Sequence, residues 1–547
     1  MKKWQTKDQL IHLLCGLVQI PSVTGSTAEK LLPTYLIEQL NTLPYFQRNP
    51  GHVRATPTDD GRHFVTALVK KEGARDTVIL ISHFDVVDVE DYGSWKTHAF
   101  DPEQLTSLFQ AQQQELPSAV QRDMETGNWL FGRGTMDMKC GLALHMSMVE
   151  KACAGEFDGN ILLLTVPDEE VNSVGMRAAV PVLLELAQEF DLHYKTVLNS
   201  EPMFPRFPGD QNKYIYTGSI GKVLPGFLCY GKETHVGEPF AGLNGNLMAS
   251  QLTCELELNT AFCEIVDGEA TAPPTNLIQK DLKKEYSVQI PHRAVTLFNL
   301  FLLEKKMEDV VKSLLEAATN AADKIKQAYA KQADLFAQNS PFTPRPLSIQ
   351  VMTYEALHAY ALRTHGEEKV EQILGSVLAE RGRMDDRDMT IELVDQLAAL
   401  CKELSPMIIL FFAPPFYPAV STRQHPVTQR TVAEMEAYAQ AHHQIALIRQ
   451  SYFGGISDLS YAGLQYPASS MQPLIHNMPM WDKGYSIPMQ ALEAFDVPVL
   501  NLGPVGRDAH QWTERLDVDY AFGTLHEMLQ HCIHTLLKEA KTSEVWD

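Results

Sequence analysis

Residues 161–175 read ILLLTVPDEEVNSVG, so Glu169 and Glu170 stand side by side directly after an apolar, β-branched run. Neighbouring strand residues point to opposite faces, and two like charges this close repel. Other residues of the same chemical kind occupy comparable places. His83 and Asp85 lie in SHFDVVD, Asp137 in GRGTMDMKCG, Glu201 in NSEP and His510 in GPVGRDAHQWTE. Each alone is a weak signal, because a His or acid at a strand end is more often a hydrogen-bonded structural residue. As a set they follow apolar runs or Gly-containing turns. Two imidazoles and several carboxylates converging on one side of a sheet are what a hydrolytic divalent-metal site requires. Burying so many acids without a cation is unfavourable, and a pair of cations removes the repulsion.

The elements that must carry these residues follow from the periodicity. The N-terminal stretch reads as an amphipathic helix, and Ser26 with Glu29 has capping-box spacing ahead of a second helix, AEKLLPTYLIEQL. Strands HFVTALVK, DTVILISHFD, ILLLTVPDEE and KTVLNSEP alternate with helices through GLALHMSMVEKAC and MRAAVPVLLELAQEF. This predicts an α/β fold with a mostly parallel sheet flanked by helices on both faces. In such sheets ligands sit beyond the carboxyl ends of the strands, which puts SHFD, PDEE and NSEP on one rim. From about 219 to 295 the strands IGKVLPGFLCYG and EYSVQIPHRA, with a helix between them, predict a smaller α+β unit. Residues 299–340 read as an amphipathic helix and 354–404 as further helices, none assigned any chemistry. After Pro426 the α/β pattern resumes with a helix at 428–444, GISDLSYAGL, the strand VPVLNLGP and a helix at 519–540. The predicted organisation is a discontinuous domain, 1–218 and 424–547, interrupted by an inserted domain at 219–423.

Composition narrows the function classes. With 46 Lys+Arg against 68 Asp+Glu the net charge is −22, which argues against non-specific nucleic-acid binding and against an anionic membrane surface. No apolar run approaches the ~20 residues a membrane helix needs. Eight scattered cysteines without a CxxC pair suggest reduced, buried thiols, and with no signal-peptide pattern at the N-terminus the expected location is the cytoplasm.

The stretches IPSVTG, SHFDVVD, GRGTMDMKCG, PDEEVNSVG, NSEP, GKETHVGEP, TNLI with IPHRA, and GPVGRDAHQWTE, in this order, resemble the M20 (aminoacylase/carboxypeptidase) family of co-catalytic zinc hydrolases. Length and the 300–424 region make the chain similar to the arginine-utilisation (RocB-type) branch. The resemblance implies a zinc-exopeptidase-like catalytic domain with an inserted α+β lid/dimerisation domain, here enlarged by helices. It implies two divalent ions, zinc first with cobalt or manganese as alternatives. His83 and Glu201 would hold one ion, His510 and Glu170 the other, and Asp137 would bridge them, followed by a cis peptide to Met138. Asp85 would hold the His83 imidazole from behind. Glu169 would be the general base, taking a proton from a metal-bridged water and passing it to the leaving nitrogen. His235 would stabilise the oxyanion, often across a dimer interface, and Asn276 and Arg293 would contact a substrate carboxylate. His235 also reads as an exposed loop residue, and Arg293 as half of a surface ion pair.

The implied activity is hydrolysis of an amide bond in a small amino-acid-derived substrate, an N-acyl amino acid or short peptide, with arginine catabolism as context. Glu201, where many family aminopeptidases have Asp, leans toward N-acyl or carboxypeptidase-like substrates. A non-catalytic metabolite-binding or regulatory protein that keeps the fold is the alternative, and attack on a guanidino or carbamoyl carbon is a third reading. Cys140 stands where the family usually has Gly and reads as a packing thiol; the 91–130 stretch is longer than usual. Asp88, His98, His145, Asp168, His442, His443 and Asp458 read as structural or solvated, although the family often carries an Asp beside the site at the place of Asp458.

Overall fold

The apolar runs DTVILISH, NILLLTV and HYKTVLN form the strands Asp76–His83, Asn160–Val166 and His193–Asn199, almost wholly buried and mutually parallel. The computed structural model describes residues 2–207 and 209–538. Two units form: residues 1–220, 420–464 and 488–547, and residues 221–419 with 465–487.

The first unit is built on an eight-stranded sheet in the order Val53–Pro57, His63–Val69, Asn160–Val166, Asp76–His83, His193–Asn199, Val499–Asn501, Lys213–Tyr216, Leu447–Gln450. Its centre is parallel; on one flank His63–Val69 runs antiparallel both to it and to Val53–Pro57, and on the other Lys213–Tyr216 and Leu447–Gln450 run antiparallel to Val499–Asn501. Only six residues link His63–Val69 to Asp76–His83, too few for the crossover that two parallel strands need, so the chain reverses direction. The helix Lys139–Cys153 is buried on nearly every side, and Val174–Glu189 and His526–Leu537 bury an apolar stripe. A three-stranded sheet joins Gly506–Arg507, Arg515–Asp517 and Trp129–Phe131.

The second unit carries a five-stranded sheet in the order Thr275–Asp281, Arg293–Leu302, Gly221–Tyr230, Met407–Tyr417, Gln350–Thr353. Helices Gly245–Leu256, Met307–Ala337, Tyr354–His365, Glu367–Leu378 and Asp386–Leu400 complete it.

Several expected boundaries shift for local reasons. Ser26 Oγ accepts from the Glu29 N–H at 3.2 Å as a capping box begins to do, yet the regular helix is Leu32–Asn41, because Glu29 turns its carboxylate to Arg62 and the Gly25 N–H. EYSVQIPHRA is irregular up to Arg293, with Pro291 removing a ladder donor, and residues 299–302 are strand rather than helix. The helix expected at 428–444 is Pro426–Tyr438 followed by a π turn, and the last one is His526–Leu537; residues 539 and 540 of that expectation lie outside the described residues. Residues 465–487, expected in the first unit, cluster with the second. There Asn477 Oδ1 accepts from the Glu355 N–H at 2.9 Å and Tyr485 Oη from the Phe416 N–H at 2.8 Å.

Candidate metal centre

Strand register sets the site. His83 pairs with Val166, and Ile81 with Asn199, so Glu201, two residues beyond Asn199, follows at the level of His83 on the same rim. Just beyond the strand ends come Glu169 and Glu170 from one strand and Glu201 from the other. The turn between Gly506–Arg507 and Arg515–Asp517 brings His510, and the turn before helix Lys139–Cys153 brings Asp137, whose peptide bond to Met138 is cis.

These side chains meet. His83 Nε2 lies 3.4 Å from Asp137 Oδ1, 3.5 Å from Glu201 Oε1 and 3.9 Å from Glu169 Oε2. His510 Nε2 lies 3.3 Å from Asp137 Oδ2 and 3.1 Å from Glu170 Oε1. The two oxygens of Asp137 therefore face two different imidazoles. His83, Asp137 and Glu170 each offer a ligand atom within 4.8 Å of the others. Donors about 2.0–2.1 Å from one tetrahedral cation stand roughly 3.3–3.4 Å apart, close to the separations around His83. His83 Nε2 is buried and has no hydrogen-bond partner, as fits an imidazole lone pair meant for a metal. Its Nδ1 sits 3.0 Å from the Asp85 carbonyl, which places the ring proton there and leaves Nε2 as donor.

The electrostatics ask for the same counter-charge. Burial, reinforced by neighbouring carboxylates, raises Glu169 and Glu201 well above the usual carboxyl range, and Asp458 to about 7. Burial also raises Glu170. Burial opposes protonation of His510, yet Asp137 and Glu170 push it up to about 11; His83 rises against its burial through Glu201, Asp137, Asp85 and Glu169. Asp137, between both rings, is held below its usual value although burial acts the other way. A divalent cation would supply the positive charge that these crowded carboxylates call for. The residues present fit a divalent metal.

Residues behind the centre fix its geometry. Asp85 Oδ1 and Oδ2 accept from the Glu169 and Glu170 N–H groups at 3.1 and 3.3 Å, and Thr24 Oγ1 donates to Oδ2 at 2.8 Å. Asp85 thus grips the PDEE backbone, while its carboxylate stays 3.5 Å from His83 Nδ1. Asp168, expected to be merely structural or solvated, is buried with φ +70° and anchors the turn that presents the glutamates. Its Oδ2 accepts from the Val174 N–H at 3.0 Å and its Oδ1 from Arg62 Nη1 at 2.8 Å; Arg62 also reaches Glu29 and Asp60. Glu514, fully buried, accepts from the Gly134 and Met136 N–H groups at 2.8 and 3.3 Å and from Arg133 Nη1 at 2.9 Å, clamping the turn that bears Asp137. Arg515 and Thr513 hold Asp508, two residues before His510. Asp458 is buried within electrostatic reach of Glu169 and Glu201. No local motif marks Arg62, and although Glu514 closes the stretch GPVGRDAHQWTE, its role is not legible there because its partners lie about 380 residues away. Cys140 is buried, with its thiol raised by burial.

His235, Asn276 and Arg293 belong to the second unit. His235 is exposed, with Nδ1 accepting from the Gly237 N–H at 3.1 Å. Asn276 Nδ2 donates to Thr296 Oγ1 at 2.6 Å, and Arg293 Nη1 pairs with the buried Asp395 at 2.6 Å.

Comparison with known proteins agrees with this geometry. The family model described as Peptidase family M20/M25/M40 matches residues 79–535. Uncharacterized protein YqjN of Bacillus subtilis (strain 168) is 49% identical over 540 residues, covering 99% of this chain and 98% of its own. Protein RocB of the same organism is 31% identical over 543 residues, covering 97% and 95%. Among solved structures, the M20 family metallo-carboxypeptidase Sso-CP2 from Sulfolobus solfataricus shares the fold with TM-score 0.55 at 13% identity, covering 97% of this chain and 99% of that one. With a matched model spanning most of its length and full-length relatives, the chain belongs to Peptidase family M20/M25/M40, metal-dependent hydrolases acting on C–N bonds.

Proposed function

We propose that this protein hydrolyses an amide bond in a small amino-acid-derived substrate, an N-acyl amino acid or short peptide, at a centre for two divalent cations. The observation that carries the reading is Asp137, whose Oδ1 faces His83 Nε2 at 3.4 Å and whose Oδ2 faces His510 Nε2 at 3.3 Å. One carboxylate shared by two imidazoles divides the ligands into His83 with Glu201 and His510 with Glu170. When bound, such cations would polarise the scissile carbonyl and acidify the attacking water. Zinc suits this mixed His/carboxylate set, as do cobalt and manganese.

Glu169 stands outside both ligand pairs, and its Oε2 is 3.9 Å from His83 Nε2. From that place it takes the proton of the attacking water and delivers it to the leaving nitrogen. Asp85 orients it through the backbone N–H it accepts. In the second unit, His235, Asn276 and Arg293 are the residues proposed to contact the oxyanion and a substrate carboxylate, with that unit acting as lid and homodimer contact. A role in arginine catabolism belongs to the same reading.

The test is a panel of N-acyl amino acids and dipeptides assayed with zinc, cobalt and manganese, with metal content measured alongside. Glu169→Gln is expected to keep its metal and lose activity by about 10²–10⁴-fold. A wild-type protein without bound metal, or a Glu169→Gln variant with undiminished turnover, would sink the reading.

A further inference from the structure

A second group of metal-ligating side chains lies in the second unit, in helices to which the sequence assigned no chemistry. His365 ends the helix Tyr354–His365, Cys401 caps Asp386–Leu400, and Glu403 follows on the turn Lys402–Leu404. Each offers one ligand atom, and these atoms all lie within 4.8 Å of one another. We propose that His365, Cys401 and Glu403 bind one zinc-class divalent cation that ties together the carboxyl ends of two helices.

Four features support the assignment. His365 Nε2 is buried and has no hydrogen-bond partner, although Glu403 Oε1 is 3.4 Å away. That separation matches the roughly 3.3–3.4 Å edge between two donors on one tetrahedral cation. Cys401 is fully buried, and its Sγ lies within 4.8 Å of the ligand atoms of both His365 and Glu403. A bound cation takes the thiolate as ligand and neutralises its repulsion with the neighbouring carboxylate. Glu403 Oε1 also accepts from Tyr360 Oη at 3.1 Å, which orients the carboxylate. Finally, both His365 and Cys401 sit at helix carboxyl ends, where the partial negative charge of unpaired carbonyls favours a cation.

The mixed N, S and O donors select zinc or cobalt over magnesium or calcium. Three protein donors leave one tetrahedral position, and Glu403 is 45% exposed, so water has access to it. This set differs in kind from the catalytic centre, whose proposed ligands are all nitrogen and oxygen. Only a site containing a thiolate gives strong near-ultraviolet thiolate-to-cobalt charge-transfer absorption.

The experiment therefore loads the full-length, metal-stripped protein with cobalt and records that absorption. It is expected in the wild type, lost in Cys401→Ser, and reached only at about tenfold or higher cobalt concentration in His365→Asn. Zinc-loaded protein is expected to lose one zinc per chain in Cys401→Ser while amide hydrolysis persists. His365→Asn, at a partly exposed helix end, keeps the question answerable if the Ser variant does not fold. A wild type without the band, or a band unchanged in both variants, overturns the proposal.

Discussion

At the residue scale the centre depends on charges that its own motifs do not contain. His83, Asp137, Glu169, Glu170, Glu201 and His510 were legible because each directly follows an apolar run or a Gly turn. Arg62 was not: it comes from the DDGR turn and meets Glu29 and Asp168 only after folding, the latter more than a hundred residues away. It is 11% exposed, and its partners are 0% and 4% exposed. Removing one partner of a buried pair leaves the others uncompensated, typically at about 3–5 kcal/mol. Arg62→Met is therefore expected to lower unfolding free energy by that order in urea denaturation. It should also slow turnover, since Asp168 anchors the turn bearing Glu169. A variant within about 0.5 kcal/mol of the wild type, the range of ordinary surface changes, would show that the network does not support the turn.

At the scale of elements, strand order explains why residues 83, 169, 170 and 201 converge. The parallel run of Asn160–Val166, Asp76–His83 and His193–Asn199 was readable from apolar strands separated by helices. The antiparallel flank at His63–Val69 was not, because direction depends on link length rather than on strand composition. The irregular stretch before Arg293 has strand-like composition but is set by Pro291 and by exposure, with Tyr286 94% exposed. Close packing at the site is equally invisible in the sequence. A Cβ on Gly503 would meet the Glu201 carbonyl oxygen at 1.8 Å, where Leu502 pairs with Asn199 and Asn501 Nδ2 donates to that same oxygen. Backbone must move to relieve such a contact. Gly503→Ala is expected to destabilise by about 1–3 kcal/mol, as overpacking does, and to weaken metal binding by displacing Glu201. Thermal unfolding and a metal-affinity titration on one preparation check both; unchanged affinity would mean that Glu201 is held independently of this crossing.

At the scale of the whole molecule, the sequence revealed an interrupted α/β domain, but residues 465–487 were misplaced because their partners, such as Glu355 and Phe416, lie at least about 70 residues away. The same remoteness hides how stability depends on pH. Glu29 and Glu514 are both raised from 4.5 to about 7, chiefly by burial; Asp85 adds to the rise at Glu29, and Arg62 and Arg133 oppose it. Since the folded value lies above the unfolded one, the fold binds these protons more tightly. The stabilisation is complete below pH 4.5 and is lost as pH rises through about 7, up to about 3 kcal/mol per group. Exposed acids among the 68 Asp+Glu are already ionised above about pH 5, so general repulsion changes little across this window. Urea unfolding of the full chain in chelator, from about pH 5 to about pH 8, is expected to show stability falling with pH. The double variant Glu29→Gln/Glu514→Gln should reduce that slope, because neither amide ionises, while Asp458, Glu169 and Glu201, raised in the same direction, keep the remainder. Metal ligands must lose their protons to bind, so added zinc should restore more stability at the upper end of the range than at the lower. Identical slopes in the wild type and the double variant would show that these two carboxyls do not titrate in this window.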